Sequence, residues 1–144
     1  MQRYSYNIAI RIWHPSINPD EITRELGLQP NRFWKAGQQR TTPKGTLLEG
    51  IYRESYWNAD PFQRGEYSST DDLAEDSLIE VLDVLGPRKE FLSRLRGEGA
   101  RIIVHISSFS GRNYAIELSP DILGQYAALG VGLAHDVYPF AQNW

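Results

Sequence analysis

An alternating segment over residues 101–119 constrains the fold more than any other part of the sequence. Apolar residues occupy every second position over 102–106, which is typical of a strand with one buried face. The same alternation returns over 114–118, and Gly111 lies between the two runs, where the chain could reverse direction. The segment therefore predicts an antiparallel hairpin with one apolar and one mixed face.

Similar alternation predicts further strands over residues 4–14, 49–58 and 131–138. Residues 29–48 have no clear period and are interrupted by glycine and proline, so we expect a long loop there, and residues 59–70 predict a second loop. The chain after residue 138 is expected to be a short tail that starts at a proline and ends at a tryptophan.

Helices are predicted between these strands. Residues 18–20 (Asn-Pro-Asp) and 119–121 (Ser-Pro-Asp) each place a polar cap before a proline and an acid, which is typical of a helix N-terminus. A glycine follows each short helix, at Gly27 and Gly130, where a left-handed residue would end it. A longer helical stretch over 71–97 contains Gly-Pro and should break or kink there.

This order of elements predicts an α+β fold of ferredoxin-like type, with an antiparallel or mixed sheet of about five strands and helices on one face. Residues 7–12 and 113–118 also align as a weak internal repeat, each followed by a capped helix. Either a pseudo-twofold relation or two units that use the same caps would explain this similarity. A chain of 144 residues is the size of one domain, so we expect a single domain over 1–144.

Composition removes several classes of function. The chain has no cysteine, which excludes disulfides and thiolate metal sites. The first twenty residues lack an apolar run of signal-peptide or membrane-span length, so we expect a cytoplasmic protein without membrane association. A formal charge of -3 argues against a dedicated nucleic-acid binder.

The loop over 29–48 is the first candidate binding site, because it combines cations with aromatic rings and contains no acid. Rings beside cations could hold a nucleobase, a phosphate or an acidic peptide. Alternatively, the rings pin the loop to the core and the cations are only solvated. The cations are Arg32, Lys35, Arg40 and Lys44, and the rings are Phe33 and Trp34.

The sheet face opposite the helices is the second candidate. Arginine and tryptophan are enriched at binding hot spots, so a face of this composition could receive a partner or ligand. Alternatively, it is a solvated face with cross-strand charge pairs such as Arg11 with Glu117. The alternation assigns to this face Arg11, Trp13, His105, Glu117, Asp136 and Tyr138.

No cofactor or metal is predicted. His14 and His135 have the parity of the core side and His105 the opposite parity, so a three-histidine metal centre is not expected. The sequence also lacks a phosphate-binding glycine loop and a nucleophile elbow.

Four stretches together resemble one bacterial family, the domain of unknown function 4279. They are Ser-Tyr-Asn-Ile-Ala-Ile-Arg-Ile over 5–12, Pro-Asp-Glu-Ile-Thr-Arg-Glu-Leu-Gly-Leu-Gln-Pro over 19–30, Trp-Lys-Ala-Gly over 34–37 and the segment over 123–138. The resemblance spans nearly the whole chain. It implies a small cytoplasmic bacterial protein without an established activity, and it supplies no catalytic residues. By analogy, some small families of this kind look like toxin-neutralising immunity proteins.

Our leading hypothesis is a non-enzymatic binding module for an unidentified protein or a small anionic ligand. It would use the loop around Trp34, Lys35 and Arg40 together with the sheet face that carries Arg11 and Trp13. Two other hypotheses use the same face. One is an enzyme acting on a small anionic substrate, with His105 and Glu117 as an acid–base pair on neighbouring strands, and the other is a homodimer that buries the open face.

Overall fold

The computed structural model describes residues 3–138, and the expected tail after residue 138 lies outside them. Eight strands and four α-helices form in this part of the chain. The strands are β1 (Ser5–His14), β2 (Arg32–Trp34), β3 (Gln39–Thr41), β4 (Leu47–Ile51), β5 (Ser55–Ala59), β6 (Tyr67–Ser68), β7 (Arg101–Phe109) and β8 (Gly132–Tyr138). The helices are α1 (Pro19–Leu26), α2 (Ala74–Leu85), α3 (Lys89–Gly97) and α4 (Pro120–Leu129), with a 3-10 turn (Gly86–Arg88) between α2 and α3.

Six of the strands form one mixed sheet in the order β2-β5-β1-β7-β8, with β6 beside the start of β1. Strand β1 is antiparallel to β5, β6 and β7, whereas β8 is parallel to β7. Strands β3 and β4 form a separate two-stranded hairpin. The prediction of a mixed α+β fold is confirmed, and the ferredoxin-like layout and the pseudo-twofold relation stay predictions.

The hairpin predicted over 101–119 is wrong in its second half. Residues 113–118 form no strand, and β7 pairs instead with β1 on one edge and with β8 on the other. Because both edges of β7 are occupied, it has no edge left for a third partner. The alternation of 114–118 has another cause: Tyr114, Ile116 and Leu118 pack against the core from a segment without regular secondary structure. The Tyr114 ring stacks on Tyr4 with centroids 4.7 Å apart.

The core lies between the helices and one face of the main sheet. Every second residue of β1 from Tyr6 to His14 is buried, as the alternation predicted. These side chains share one apolar cluster with residues from all four helices, which include Ile22 of α1, Leu78 of α2, Leu92 of α3 and Tyr126 of α4. The helices therefore cover this face of the sheet and leave the opposite face uncovered.

The predicted helix caps are confirmed. Asn18 accepts a hydrogen bond from the Asp20 amide at 3.0 Å, and Ser119 accepts one from the Ile122 amide at 3.3 Å. Gly130 ends α4 with a φ of +70°, and the Arg96 guanidinium lies where a Cβ atom would stand. A side chain at residue 130 would therefore meet both backbone strain and a steric clash.

The long loop predicted over 29–48 contains β2, β3 and the start of β4, so that prediction is wrong in part. The strand predicted over 49–58 is divided between β4 and β5 by a turn. Strands of three residues are too short to show a period, and β2 is stabilised by pairing with β5 rather than by its own pattern. The loop predicted over 59–70 begins one residue later, because Ala59 is the last residue of β5, and it contains the two residues of β6.

One buried carboxylate organises the loop that follows β5. Asp60 Oδ1 accepts hydrogen bonds from the amides of Phe62 and Gln63 at 2.9 and 3.1 Å. Asp60 Oδ2 accepts from the amides of Arg64 and Gly65 at 3.0 and 2.7 Å. Four backbone donors are thus satisfied by one side chain.

Two buried tyrosines provide a matched test of the core. The Tyr6 hydroxyl donates to the Asp72 carbonyl at 2.7 Å and bonds to Ser77 Oγ at 2.8 Å, whereas the Tyr67 hydroxyl is buried with no hydrogen-bond partner among residues 3–138. We expect Tyr6→Phe to lower the free energy of unfolding by about 1–3 kcal/mol, because it leaves buried groups unpaired, and Tyr67→Phe to be neutral or stabilising. Urea denaturation measures both. Equal losses in the two variants would contradict this difference.

Buried tyrosines also predict a loss of stability in alkali. Burial raises the pKa of Tyr6 from 10.0 to about 12 and raises the pKa values of Tyr4 and Tyr126 as well. The Tyr6 hydroxyl ionises in the unfolded chain before it ionises in the fold, so its contribution to stability is complete below pH 10 and is lost between pH 10 and 12. When the free energy of unfolding is measured at a series of pH values, Tyr6→Phe should lose less of it between pH 10 and 12 than the wild type does. Tyr52→Phe is the control that should not reduce this loss, because the pKa of Tyr52 is lowered in the fold.

Candidate functional site

The face of the main sheet opposite the helices, here called the open face, collects the polar and aromatic residues of five strands. The strand register places Trp13 of β1 opposite Arg101 of β7 and Tyr56 of β5, and Tyr56 opposite Trp34 of β2. Residues opposite each other in a sheet share a face. The open face therefore carries Arg32 and Trp34 from β2, Tyr56 and Asn58 from β5, Arg11 and Trp13 from β1, Arg101 and His105 from β7, and Asp136 from β8.

A row of hydrogen bonds crosses this face. Asp136 Oδ2 lies 2.6 Å from His105 Nε2, and His105 Nδ1 lies 3.0 Å from Arg11 Nη1. Arg11 Nε donates to the Tyr56 hydroxyl at 2.7 Å, and Asn58 Nδ2 donates to the same hydroxyl at 2.8 Å. Five side chains from four strands are therefore joined, with the Arg11 guanidinium held at the centre.

The row fixes the tautomer of His105. A guanidinium can only donate, so His105 Nδ1 must accept from Arg11 with its lone pair. The ring proton then lies on Nε2 and is donated to Asp136. Because each ring nitrogen already has a partner within the protein, His105 offers no free nitrogen to remove a proton from a substrate.

A row of aromatic rings lies beside the hydrogen bonds. The Trp13 and Tyr56 ring centroids are 5.3 Å apart, and those of Tyr56 and Trp34 are 4.6 Å apart. Tyr52 stacks on Trp34 at 4.2 Å with an angle of 9° between the rings. The Trp34 Nε1 also donates to the Glu54 carbonyl at 3.1 Å. Trp34 is therefore held by neighbours on several sides.

Three arginines lie over these rings. The guanidinium carbons of Arg11 and Arg101 are 4.6 and 4.7 Å from the centroid of Trp13, and that of Arg32 is 5.1 Å from the centroid of Trp34. None of the three forms an ion pair with a carboxylate in the described part of the chain. Three arginines without a carboxylate partner in the described residues thus lie on one face of a protein whose net charge is -3.

Tyr52 joins the β3–β4 hairpin to the main sheet. Its hydroxyl donates to the Thr41 carbonyl and accepts from the Thr41 amide, each at 3.0 Å. Burial alone would raise the pKa of Tyr52, but the hydrogen bonds of Thr41 and the charge of Arg32 lower it. A shallow groove of about 640 Å³ lies at this junction and is lined by Trp34, Arg40, Glu49, Gly50, Ile51, Tyr52, Arg53 and Glu54.

The structure brings together six of the residues that the sequence singled out, and all lie on the open face: Arg11, Trp13, Arg32, Trp34, His105 and Asp136. Lys35 is exposed just beyond β2. Arg40 is exposed on β3, where its Nη1 donates to the Glu49 carbonyl at 3.2 Å.

Glu117 does not belong to this group. It is exposed on the strand-free segment before α4, and its amide donates to Glu75 of α2 at 3.2 Å. The predictions that it pairs with Arg11, or acts with His105 from a neighbouring strand, are therefore wrong. The second half of the expected hairpin does not form, and the acid beside His105 is Asp136.

The sequence interpretation missed Arg101, Tyr56 and Tyr52. The parity that placed His105 on the open face also applies to Arg101, so the sequence alone could have placed Arg101 on this face. The positions of Tyr56 and Tyr52 depend on where β4 ends and β5 begins, which alternation did not resolve. Of the loop rings, Trp34 packs on Tyr52 and Tyr56 at the open face rather than in the apolar core cluster, and Phe33 is 53% exposed.

His14 and His135 lie on the core side of the sheet and His105 on the open face, as their parity indicated. His14 is buried on the core side, where its Nδ1 accepts from the amides of Ser16 and Ile17. His135 contacts Ser108 at 2.6 Å on the far side of the sheet from His105. Within residues 3–138, no three histidine or acidic side chains are grouped so that they could hold a metal ion. No helix in this range has the length and apolar character needed to cross a bilayer.

The packing of Trp34 predicts a structural effect of its removal. We expect Trp34→Ala to lower the free energy of unfolding by about 2 kcal/mol, because the ring loses its contacts with Tyr52 and Tyr56. Lys35→Ala, next in the chain and exposed, should change it by less than about 0.5 kcal/mol. Thermal and urea denaturation measure both variants. A Trp34→Ala protein as stable as the wild type would show that this ring is free for a partner.

No curated protein and no solved structure matches the chain significantly. The model of one protein family, described as a domain of unknown function (DUF4279), matches residues 4–140. This range covers the main sheet, all four helices and every residue of the open face described above. The chain therefore belongs to the DUF4279 family.

Proposed function

We propose that the protein is a non-enzymatic binding module that receives an acidic segment of a partner protein on its open face. The observation that carries the proposal is the set of arginines without carboxylate partners, Arg11, Arg32 and Arg101. Arg11 and Arg32 are half-buried, and a partly desolvated cation without a counter-ion is costly. An acidic partner would supply the missing negative charge.

The rings of the open face support the same function. Trp13 and Trp34 are half-buried and the Tyr56 ring is buried between them, so a partner would meet the two tryptophan rings beside cations. Tryptophan, tyrosine and arginine are the residues most enriched at binding hot spots. A broad face of this kind fits a protein segment better than a small molecule, because small ligands prefer concave sites that bury most of their surface.

The enzyme hypothesis has weaker support. His105 has both nitrogens engaged by Arg11 and Asp136, and Glu117 lies near α2 rather than beside it. The groove at the β3–β4 hairpin is lined by neither Arg11 nor His105. The residues expected to act as acid and base therefore do not converge on a common substrate position.

A homodimer through the open face is also less favoured. A symmetric dimer would bring the same surface of two copies together, so the unpaired arginines of each copy would face those of the other. Like charges placed together at an interface are unfavourable. A partner of opposite charge avoids this repulsion.

The proposal is tested by titrating the protein with an oligoglutamate peptide at low ionic strength, with an oligoglutamine peptide as the neutral control. Amide shifts in NMR spectra should map to β1, β5 and β7 for oligoglutamate alone and should weaken as salt is added. The combined variant Arg11→Gln, Arg32→Gln and Arg101→Gln should lower the affinity by about tenfold or more.

The matched control replaces three exposed arginines away from the open face, Arg24, Arg88 and Arg112, with glutamine. It changes the net charge by the same amount, so it should bind oligoglutamate as the wild type does. Equal weakening in both triple variants would mean that net charge alone attracts the peptide. That result, or a wild type that does not bind, would overturn the proposal.

A further inference from the structure

We propose that Arg11 and Arg101, which share the ring of Trp13, form the carboxylate-binding centre of the open face. This inference rests on the proposed function and adds which residues hold the acid. A glutamate or aspartate side chain of the partner would accept hydrogen bonds from both guanidinium groups. We call these three residues the arginine pair and its ring.

The strand register builds the pair. Arg101 stands directly opposite Trp13 across β1 and β7, and Arg11 lies two residues before Trp13 on the same face. Both guanidinium carbons come within 5 Å of the Trp13 centroid, at 4.6 and 4.7 Å. Both cations lie against one ring without a carboxylate partner in the described part of the chain, so an anion bound beside this ring would be attracted by both.

Both guanidinium groups keep free donors. Arg11 uses Nε and Nη1 within the protein, and its Nη2 has no partner in the described part of the chain. The Arg101 guanidinium forms no hydrogen bond with any described residue, and its side chain is exposed. Guanidinium groups match the planar geometry of carboxylates and bind them through paired hydrogen bonds.

Arg11 is held in place before any ligand arrives. Tyr56 and His105 fix two of its nitrogens, and each of these is held by a further side chain, Asn58 or Asp136. Binding to a side chain that is already ordered costs less conformational entropy. His105 is therefore a positioning residue, since it holds Arg11 through a lone pair that Asp136 keeps available.

The two arginines then have different roles. Arg11 is the fixed half of the site, because it is half-buried and tethered. Arg101 is the adjustable half, since it is exposed and rests only on Trp13. Arg32, over Trp34, lies farther along the face on β2 and donates to the Thr41 carbonyl at 2.8 Å, so it supports the hairpin.

The test compares single variants in the oligoglutamate titration. Arg101→Gln should weaken binding by about fivefold or more, and because Arg101 is exposed the variant should fold normally. Arg11→Lys keeps the charge but loses the planar guanidinium fork that bonds to Tyr56 and His105 and can still offer Nη2 to a carboxylate, so it should weaken binding too. Arg32→Gln is the matched control on the same face and should have a smaller effect. Circular dichroism and thermal denaturation confirm that each variant is folded.

The outcomes separate this inference from the proposed function. If the wild type does not bind oligoglutamate, the proposed function fails. If it binds, but Arg101→Gln binds equally well and Arg32→Gln does not, the face is a binding surface with a different centre and this inference alone is overturned. A titration with inorganic phosphate provides the remaining comparison. Phosphate that binds at the arginine pair more tightly than oligoglutamate would overturn the assignment to carboxylates.

Discussion

Strand β1 is paired on both edges, and the rest of the structure depends on that pairing. Strands β5 and β6 share one edge, and β7 covers the other along nearly the whole strand. With every second residue pointing to the same side, β1 sends Ile8, Ile10 and Ile12 into the core and Arg11 and Trp13 to the open face. A slip of one residue would exchange the two faces, so the stability of the core also fixes the position of the candidate site.

The same strands form the open face and the core side of the sheet, but different interactions hold the side chains on the two faces. On the core side, apolar side chains fill the space beneath the helices. On the open side, hydrogen bonds and ring contacts hold Arg11, Trp13 and Trp34 in defined positions while charge is left unneutralised. A well-ordered charged group without a counter-ion contributes little to the free energy of folding, so its fixed position is better explained by binding.

Local sequence patterns predicted the elements whose causes are local. The alternation of β1, the caps at Asn18 and Ser119, and the core side of His14 follow from side-chain period and capping chemistry. Pairing between distant segments was not predictable in the same way. The alternation of 114–118 reflects the packing of a segment without regular secondary structure against the core. Because this segment forms no strand beside β7, Glu117 lies near α2 rather than beside His105.

The same distinction between local patterns and pairing of distant segments applies to the candidate site. Arg11, Trp13 and His105 were placed on one face by parity alone. The Arg11 contact with Tyr56 required the register between β1 and β5, which are separated by the short strands of the hairpin. Strands of three residues are defined by their partners, so they cannot be recognised from one sequence window.

The Asp60 loop has a consequence for sequence drift. Its shape is set by one carboxylate and four backbone amides, and backbone amides are supplied by almost any residue. The exposed side chain of Arg64 can therefore change during evolution while the path of the loop stays the same, provided that the acid is kept, whereas Gly65 has a φ of +75° and Phe62 packs against the core. Related proteins could therefore carry different side chains at the exposed part of the turn after β5 without disturbing the sheet.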